Sequence, residues 1–563
     1  MRFAILFVVV PLGGHADASV GDPGRPGTLR ISGVAHATRM PTPVRIELTQ
    51  ADGHAFLPEG LKPAPGSCPA RDSSTSWWEE ISGPSDLQSN FWVKDRVGDQ
   101  KYFYSLGAPV ELSLPAGKYR VRGFKGLEYH VAEKSIEIVA GRTTELALEM
   151  RRWINMPGEG WFSGDDHVHV SRKGPWVNLL LETWFAAEDL HVANLLEMGH
   201  HGGPIRSRQY AFGQRGLHRG AETWLASGQE NPRTWLVGHA IILGADAYLD
   251  APDAYLLHDR VWRQASDDGA LAGYAHFGAP GVFLDLPEER IDFLEVVQFD
   301  LGIYDALYRG LNLGASIAPT AGTDYQCALY GPPGDVRFYA RVDGPLNYRS
   351  WLEAVRAGRT FVTNGPMIEI DVGGAGAGET VVMEEPGSLK VGVSVRFDPM
   401  RDDVETLELV QDGRVLVSTS RRIEAGKMEL RAEIDVAGGS WVAARTRGVK
   451  KSNPEGRASV SHSGIVRLVV SGQPRVPSET RRVASRESIA ILDKLRGRLD
   501  ELSGAQRLGQ NMELRFGVTA EVLARDGDKL SERIQRSRDW YEANLRSPQP
   551  CLLYTSPSPR DRG

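Results

Sequence analysis

His167 and His169 stand two residues apart in the run SGDDHVHV. On an extended strand, alternate side chains share a face, so the spacing presents two imidazoles side by side, as a short metal-binding segment would. An isolated HxH pair fits core or surface histidines as well. The wider distribution adds weight, since nine of the 14 histidines fall between His167 and His276. An even spread would put about three there by proportion. Other polar residues recur at the ends of apolar, strand-like runs: Glu230 in TWLASGQE, His239 in TWLVGHAIILG, His276 after ALAGY and Asp324 in ASIAPTAGTD. If successive strands run parallel, their ends meet at one rim and these side chains converge. Imidazoles and carboxylates without cysteine suit Zn, Mn or Fe(II) at a hydrolytic site better than a closed structural zinc. Buried together without a cation they would be costly, so divalent metal ions are implied.

The elements expected to position these residues fall into several blocks. Length, at 563 residues with 41% hydrophobic content, calls for several domains. Residues 1–18 have the form of a signal peptide: Arg2, the apolar run Phe3 to Leu12, then Ala16-Asp17-Ala18. Export to the periplasm or the exterior follows, the competing reading being a cytosolic chain that begins with an apolar strand. Residues 19–152 alternate with period two between Asp-Gly and Pro-Ala-Gly turns, predicting an N-terminal β-sandwich. A Pro-, Ser- and Trp-rich insertion follows Leu61, where Trp77 and Trp78 suit a core cap, or alternatively a ligand platform. Residues 153–370 alternate strand-like and helical runs, which predict a parallel sheet, and the seven strand-like runs are enough to close a barrel. Period-two alternation returns over 371–475, predicting a C-terminal β-sandwich with a hairpin at Asp412-Gly413, and 476–550 reads as amphipathic helices that pack on the rest or mediate oligomers.

The tail CLLYTSPSPRDRG, residues 551–563, resembles a translated sequencing adapter, the alternative being a disordered Pro/Ser/Arg-rich tail. Three cysteines, Cys68, Cys327 and Cys551, make no disulfide framework. A net charge of -7 offers no general field for nucleic acid, and no segment after the N-terminal run is long and apolar enough to span a membrane.

The motifs SGDDHVHV, QENP with GH, YAHFG, AGTD and GRTFVTNGP, taken in order, resemble the PHP-superfamily metal hydrolases, in particular their CehA/McbA-like branch. The resemblance covers roughly Gly160 to Gly373. It implies a distorted seven-stranded (β/α) barrel with metals at the strand ends, cleaving an ester, amide, carbamate or phosphoester bond. Its motifs place metal ligands at His167, His169, Glu230, His239, His276 and Asp324, with Glu230 bridging, and a carboxylate at Asp165. Two departures stand out: Glu197-Met198-Gly199-His200-His201 where the superfamily often has Asp-His, and Asp324-Tyr325-Gln326 where it often has Asp-x-His. They favour one or two divalent ions (Zn, Mn or Fe) over three.

The expected chemistry is hydrolysis by metal-activated water. Asp324 acts as base or water-orienter, Glu230 shares the catalytic centre, and His200 or His201 protonates a leaving group or adds a ligand. Among the remaining polar residues, His191 is expected to be structural, and His218 and His258 exposed. Arg337, Arg359 and Asn364 are weighed between contact with an anionic substrate and backbone support, and Tyr325 is considered as an oxyanion donor. The competing function is a secreted binding protein with a metal-stabilised, catalytically degenerate barrel. A nucleic-acid phosphoesterase fits export and an acidic balance poorly. Substrate identity and oligomeric state are not encoded in any motif.

Overall fold

The structure, a computed structural model, describes residues 25–50, 53, 55–66, 77–88, 90–94, 100–199, 205–251, 254–288, 290–298, 301–326, 331–420, 426–448, 458–507 and 518–546. The expected signal peptide, the 551–563 tail, the three cysteines, His200 and His201 lie outside them.

Near the N-terminus two sheets share one apolar filling. Gly27–Ala35 lies between Val110–Leu114, antiparallel, and Thr143–Met150, parallel. A six-stranded sheet is built around Val44–Gln50, Lys101–Ser105 and Gly117–Phe124. Alternation decides what they bury: Leu29, Ile31, Ile46, Leu48, Val121 and Leu148 are all fully buried in one cluster. Each such side chain contributes about 1.5–3 kcal/mol through removal from water, before entropy is subtracted. Trp77 and Trp78 complete a neighbouring core; their indoles donate to Pro63 O at 2.8 Å and Ser171 O at 3.0 Å. The second bond fastens the insertion to the segment just after the HxH strand.

The central region differs from the closed (β/α)7 barrel expected of it. Its strands belong to a 17-stranded, mixed sheet, and the described residues form far more strands than helices. Trp161–Val168, Val192–Met198 and Trp224–Thr234 pair in parallel, as do Leu271–Tyr274, Phe293–Gln298 and Ala318–Ala321. The two groups are joined by antiparallel pairings through Gly238–Leu243. The reason is local. Only residues 235–237 separate Trp224–Thr234 from Gly238–Leu243, which suffices for a hairpin and not for the crossover of a dozen or more residues that a parallel neighbour needs. Arg337–Arg341 is also antiparallel, both to Trp161–Val168 and to Thr360–Thr363. No ladder pairs Ala318–Ala321 back to Trp161–Val168 among the described residues; a single parallel bridge, Val168 to Tyr325, joins the two ends, with Tyr325 N–H donating to His167 O at 3.1 Å.

Nor is the C-terminal β region a sheet system of its own, as a flanking sandwich would be. Thr360–Thr363 pairs with Val460–Ser463, which pairs with Ser440–Gly448, and the ladder runs on to Val404–Gln411 and Arg414–Ser420. The three-stranded sheet of Met367–Val372, Gly387–Arg396 and Lys427–Val436 shares an apolar cluster with that arm through residues such as Ile368, Val393, Leu407 and Leu430. Helices Ser478–Arg507 and Ala520–Arg546 bury Leu492, Leu499, Leu530 and Ile534 in the cluster that also fills the central region. Tyr541 and Ser537 donate to the carbonyls of Phe283 and Leu284, both at 2.8 Å. Packing of this amphipathic face occupies the helices intramolecularly. No helix among the described residues is long and apolar enough to cross a membrane.

Candidate metal centre

Convergence survives the change of fold, because a strand running the other way delivers its beginning where its neighbours deliver their ends. His167 lies near the end of Trp161–Val168 and Glu230 in the later part of Trp224–Thr234; His239 opens the antiparallel Gly238–Leu243. His276 follows Leu271–Tyr274, and Asp324 follows Ala318–Ala321. Beyond the strand ends the backbone bends sharply: φ is 57° at His276, 67° at Phe277 and 49° at Asp324. These left-handed conformations are costly for residues other than glycine and occur at sites where surrounding structure enforces them.

The ligand-type atoms lie close together. His167 Nε2 is 3.1 Å from His169 Nε2 and 3.4 Å from Asp324 Oδ1, and His169 Nε2 is 3.5 Å from Asp324 Oδ1. Glu230 reaches His169 Nε2 with Oε2 at 3.3 Å and His167 Nε2 with Oε1 at 3.7 Å. Ligands about 2.1 Å from a tetrahedral ion lie about 3.4 Å apart by geometry, so these spacings match one coordination shell. A second group adjoins it: His239 Nδ1 is 2.6 Å from Glu230 Oε1, and His276 Nε2 is 3.0 Å from His239 Nδ1 and 3.6 Å from Glu230 Oε1. Two sets, His167 with His169 and Asp324, all buried, and His167 with Glu230 and the part-exposed His276, could each hold a metal ion.

The outer partners orient the rings. His167 Nδ1 faces Glu295 Oε1 at 3.2 Å, His169 Nδ1 faces Leu196 O at 3.2 Å, and His276 Nδ1 faces Gln298 Oε1 at 2.8 Å. An Nδ1–H donated to each acceptor leaves Nε2 as a bare lone pair aimed inward, the tautomer a metal ligand needs. Lone pairs 3.1 Å apart repel unless a cation lies between them, so the donor set fits a divalent ion.

Electrostatics agree. Burial pulls the His167 imidazole down, yet Glu295, Asp324 and Glu230 outweigh it and hold it well above its ordinary value. His169 and His276 are raised in the same way, against burial, chiefly by hydrogen bonds to Asp324 and Glu230 and to Glu230 respectively. Burial pushes Glu230 up, but Arg233 and His239 carry it well below the carboxylate range. Asp324 is held low by His167 and His169 despite burial. His239 goes the other way: burial dominates and depresses it to about 4. This pocket attracts positive charge.

Asp165 belongs to the frame. It accepts from His167 N at 3.0 Å, Thr323 N at 3.1 Å, Thr323 Oγ1 at 2.6 Å and Gly334 N at 2.8 Å, stapling the Asp324 turn to the HxH strand. Gln326, where the resemblance expects histidine, donates from Nε2 to Asp324 Oδ1 at 3.0 Å. Tyr325 is buried against Trp184, with ring centroids 5.5 Å apart, and does not serve as an oxyanion donor. Arg337 donates to the carbonyls of Gly334, Asp189 and Glu188, and Asn364 bonds backbone at Ala458 and Val460; both support backbone. Arg359 pairs with Asp343 at 2.9 Å. His191 is held by Ser163 Oγ at 2.7 Å, away from the mouth. His258, expected to be exposed, is buried at 1% exposure beneath Trp262 and Tyr274, because the helix Asp259–Asp267 that it precedes turns Val261, Trp262 and Ala265 inward. His218 is part-exposed and 3.0 Å from Glu182.

Glu295, Gln298 and Arg233 are site residues that motif spacing does not reveal. The first two have a signal in retrospect, being the polar positions of the strand Phe293–Gln298, FLEVVQ, which is buried throughout. Arg233 has none beyond lying three residues after Glu230, whose Oε2 its Nε approaches at 2.7 Å.

Comparisons with known proteins add little. No family model matches the chain, and no curated protein matches it. Among solved structures, GBS52, the minor pilin in the gram-positive pathogen Streptococcus agalactiae, aligns at 14% identity and a TM-score of 0.14. The alignment covers 23% of this chain and 46% of the pilin, less than half that protein's length, and a likeness so slight supports no statement about fold or function.

Proposed function

We propose that the protein is a metal-dependent hydrolase acting on an ester, amide, carbamate or phosphoester bond. The observation that carries this reading is the set of inward-facing Nε2 atoms of His167 and His169 with Asp324 Oδ1, 3.1–3.5 Å apart and buried at the meeting of several strands. His167, His169 and Asp324 would hold the ion, with the Glu230 carboxylate, His239 and His276 beside them. A divalent ion held there would supply Lewis acidity and make water acidic enough for hydroxide to be available near neutral pH.

The chain's own groups do the rest. Glu295, Leu196 O and Gln298 hold three imidazoles in one tautomer. The Asp324 side chain, 12% exposed, remains at the edge of solvent and is placed to accept a proton from an attacking water. His276 and Arg233, at 26% and 23% side-chain exposure, mark where substrate enters. Gln326 in place of a further histidine favours a second reading, a binding protein whose centre is stabilised by metal and is catalytically degenerate. The test is metal content by elemental analysis, with turnover of p-nitrophenyl acetate and p-nitrophenyl phosphate after stripping and reconstitution with Zn or Mn. Metal-dependent turnover lost in His167→Ala supports the hydrolase. Bound metal without turnover, with His167→Ala lowering only the melting temperature, supports the binding protein.

A further inference from the structure

We propose that the mouth is built for a single divalent ion, with the guanidinium of Arg233 standing as a permanent positive charge on the Glu230 carboxylate oxygen that a bridged pair of ions would need. The inference rests on the reading that the mouth binds a divalent ion at all.

Two independent features lead to it. The first is Glu230, the carboxylate that faces both imidazole groups: Oε2 lies 3.3 Å from His169 Nε2, while Oε1 lies 2.6 Å from His239 Nδ1 and 3.6 Å from His276 Nε2. In a two-ion centre each oxygen would serve one ion. Here Oε2 is already engaged, with Arg233 Nε 2.7 Å away. A guanidinium cannot give up its proton at working pH, so this charge is permanent. The second feature is His167, common to both candidate ligand sets. Its Nδ1 is turned toward Glu295, and its Nε2 faces His169, Asp324 and Glu230 at 3.1, 3.4 and 3.7 Å. One lone pair serves one ion, so the two sets are alternatives while Glu230 Oε2 stays with Arg233.

Removing the guanidinium would free Oε2 to complete the shell of His167, His169 and Asp324, leaving Oε1 with His239 and His276 for a second ion. The experiment counts Zn or Mn per chain by elemental analysis and by calorimetric titration of stripped full-length protein, for the wild type, Arg233→Met and Arg233→Lys. One equivalent in the wild type, two in Arg233→Met and one in Arg233→Lys is the expected pattern. Two equivalents in the wild type, or one in a folded Arg233→Met, overturns the proposal. If Arg233→Met does not fold, judged by its thermal transition, the wild-type count alone decides. A wild type that takes up no metal defeats the proposed function itself, which separates that failure from a wrong role for Arg233.

Discussion

The mouth and the interior hold histidines of equal burial and opposite character. His167 and His169 are fully buried, as are His258 and His462, at 1% and 0% exposure. Around His167 and His169, burial is opposed by carboxylates within 3.2–3.7 Å, and these two imidazoles are held above their ordinary value, unlike His239. In the interior the partners are neutral: His258 Nδ1 meets Tyr274 Oη at 2.9 Å, and His462 Nε2 meets Tyr308 Oη at 2.8 Å. Burial then prevails and both fall to about 3. Burial alone does not set the charge of an imidazole; what faces it does. A carboxylate-rich cavity that stabilises a proton also stabilises a metal ion, whereas a histidine faced by tyrosine has no anionic surround to hold either.

The sharpest way to break the contrast is to strip the mouth of its common anion. Glu230→Gln should lower affinity for Zn or Mn by on the order of 100-fold or more, read by calorimetric titration, with metal-dependent turnover falling alongside. Unchanged affinity would mean that the carboxylate does not define the centre. Glu295→Gln alters the outer partner of His167 and the acceptor of the His276 backbone N–H, and an effect of about 10–100-fold on metal affinity is expected. Its apo protein should melt no lower than wild type, since a buried carboxylate has been neutralised.

The interior side of the comparison makes a pH prediction. His258 titrates near 3 when folded and near 6.5 when unfolded, so below pH 6.5 the unfolded chain binds the extra proton. Stability is therefore full above about pH 6.5 and is lost as pH falls toward 3. Between pH 7 and pH 5 this one group costs on the order of 2 kcal/mol. Urea unfolding at the two pH values should show His258→Gln losing less stability than wild type; an equal loss would remove this group from the account. The smallest effect belongs to His218, part-exposed and paired with Glu182: His218→Ala should change stability by about 0–1 kcal/mol and metal affinity not at all.

Candidate ligands were legible because coordination chemistry restricts residue type and strands repeat every two residues. The HxH pair, Glu230, His239, His276 and Asp324 are readable as polar breaks in apolar runs, and they meet within a few ångströms. The barrel was misread for a related reason. The runs containing Glu230 and His239 have the composition of successive strands, but strand direction is carried by the length of the link, and a link of three residues makes a hairpin. His258 was misplaced because a helix with polar neighbours does not announce which face is covered.

The sequence by itself determined the inventory: which side chains can bind a cation, where alternation makes strands, and which helices are amphipathic. These follow from local chemistry and periodicity. Tertiary structure decided strand direction, the merging of central and C-terminal β regions into one sheet, Asp165 as a staple rather than a ligand, and the approach of Arg233 to Glu230. Each depends on groups far apart in the chain or on the path between them, and contact energies act only on what the folded backbone has brought within a few ångströms.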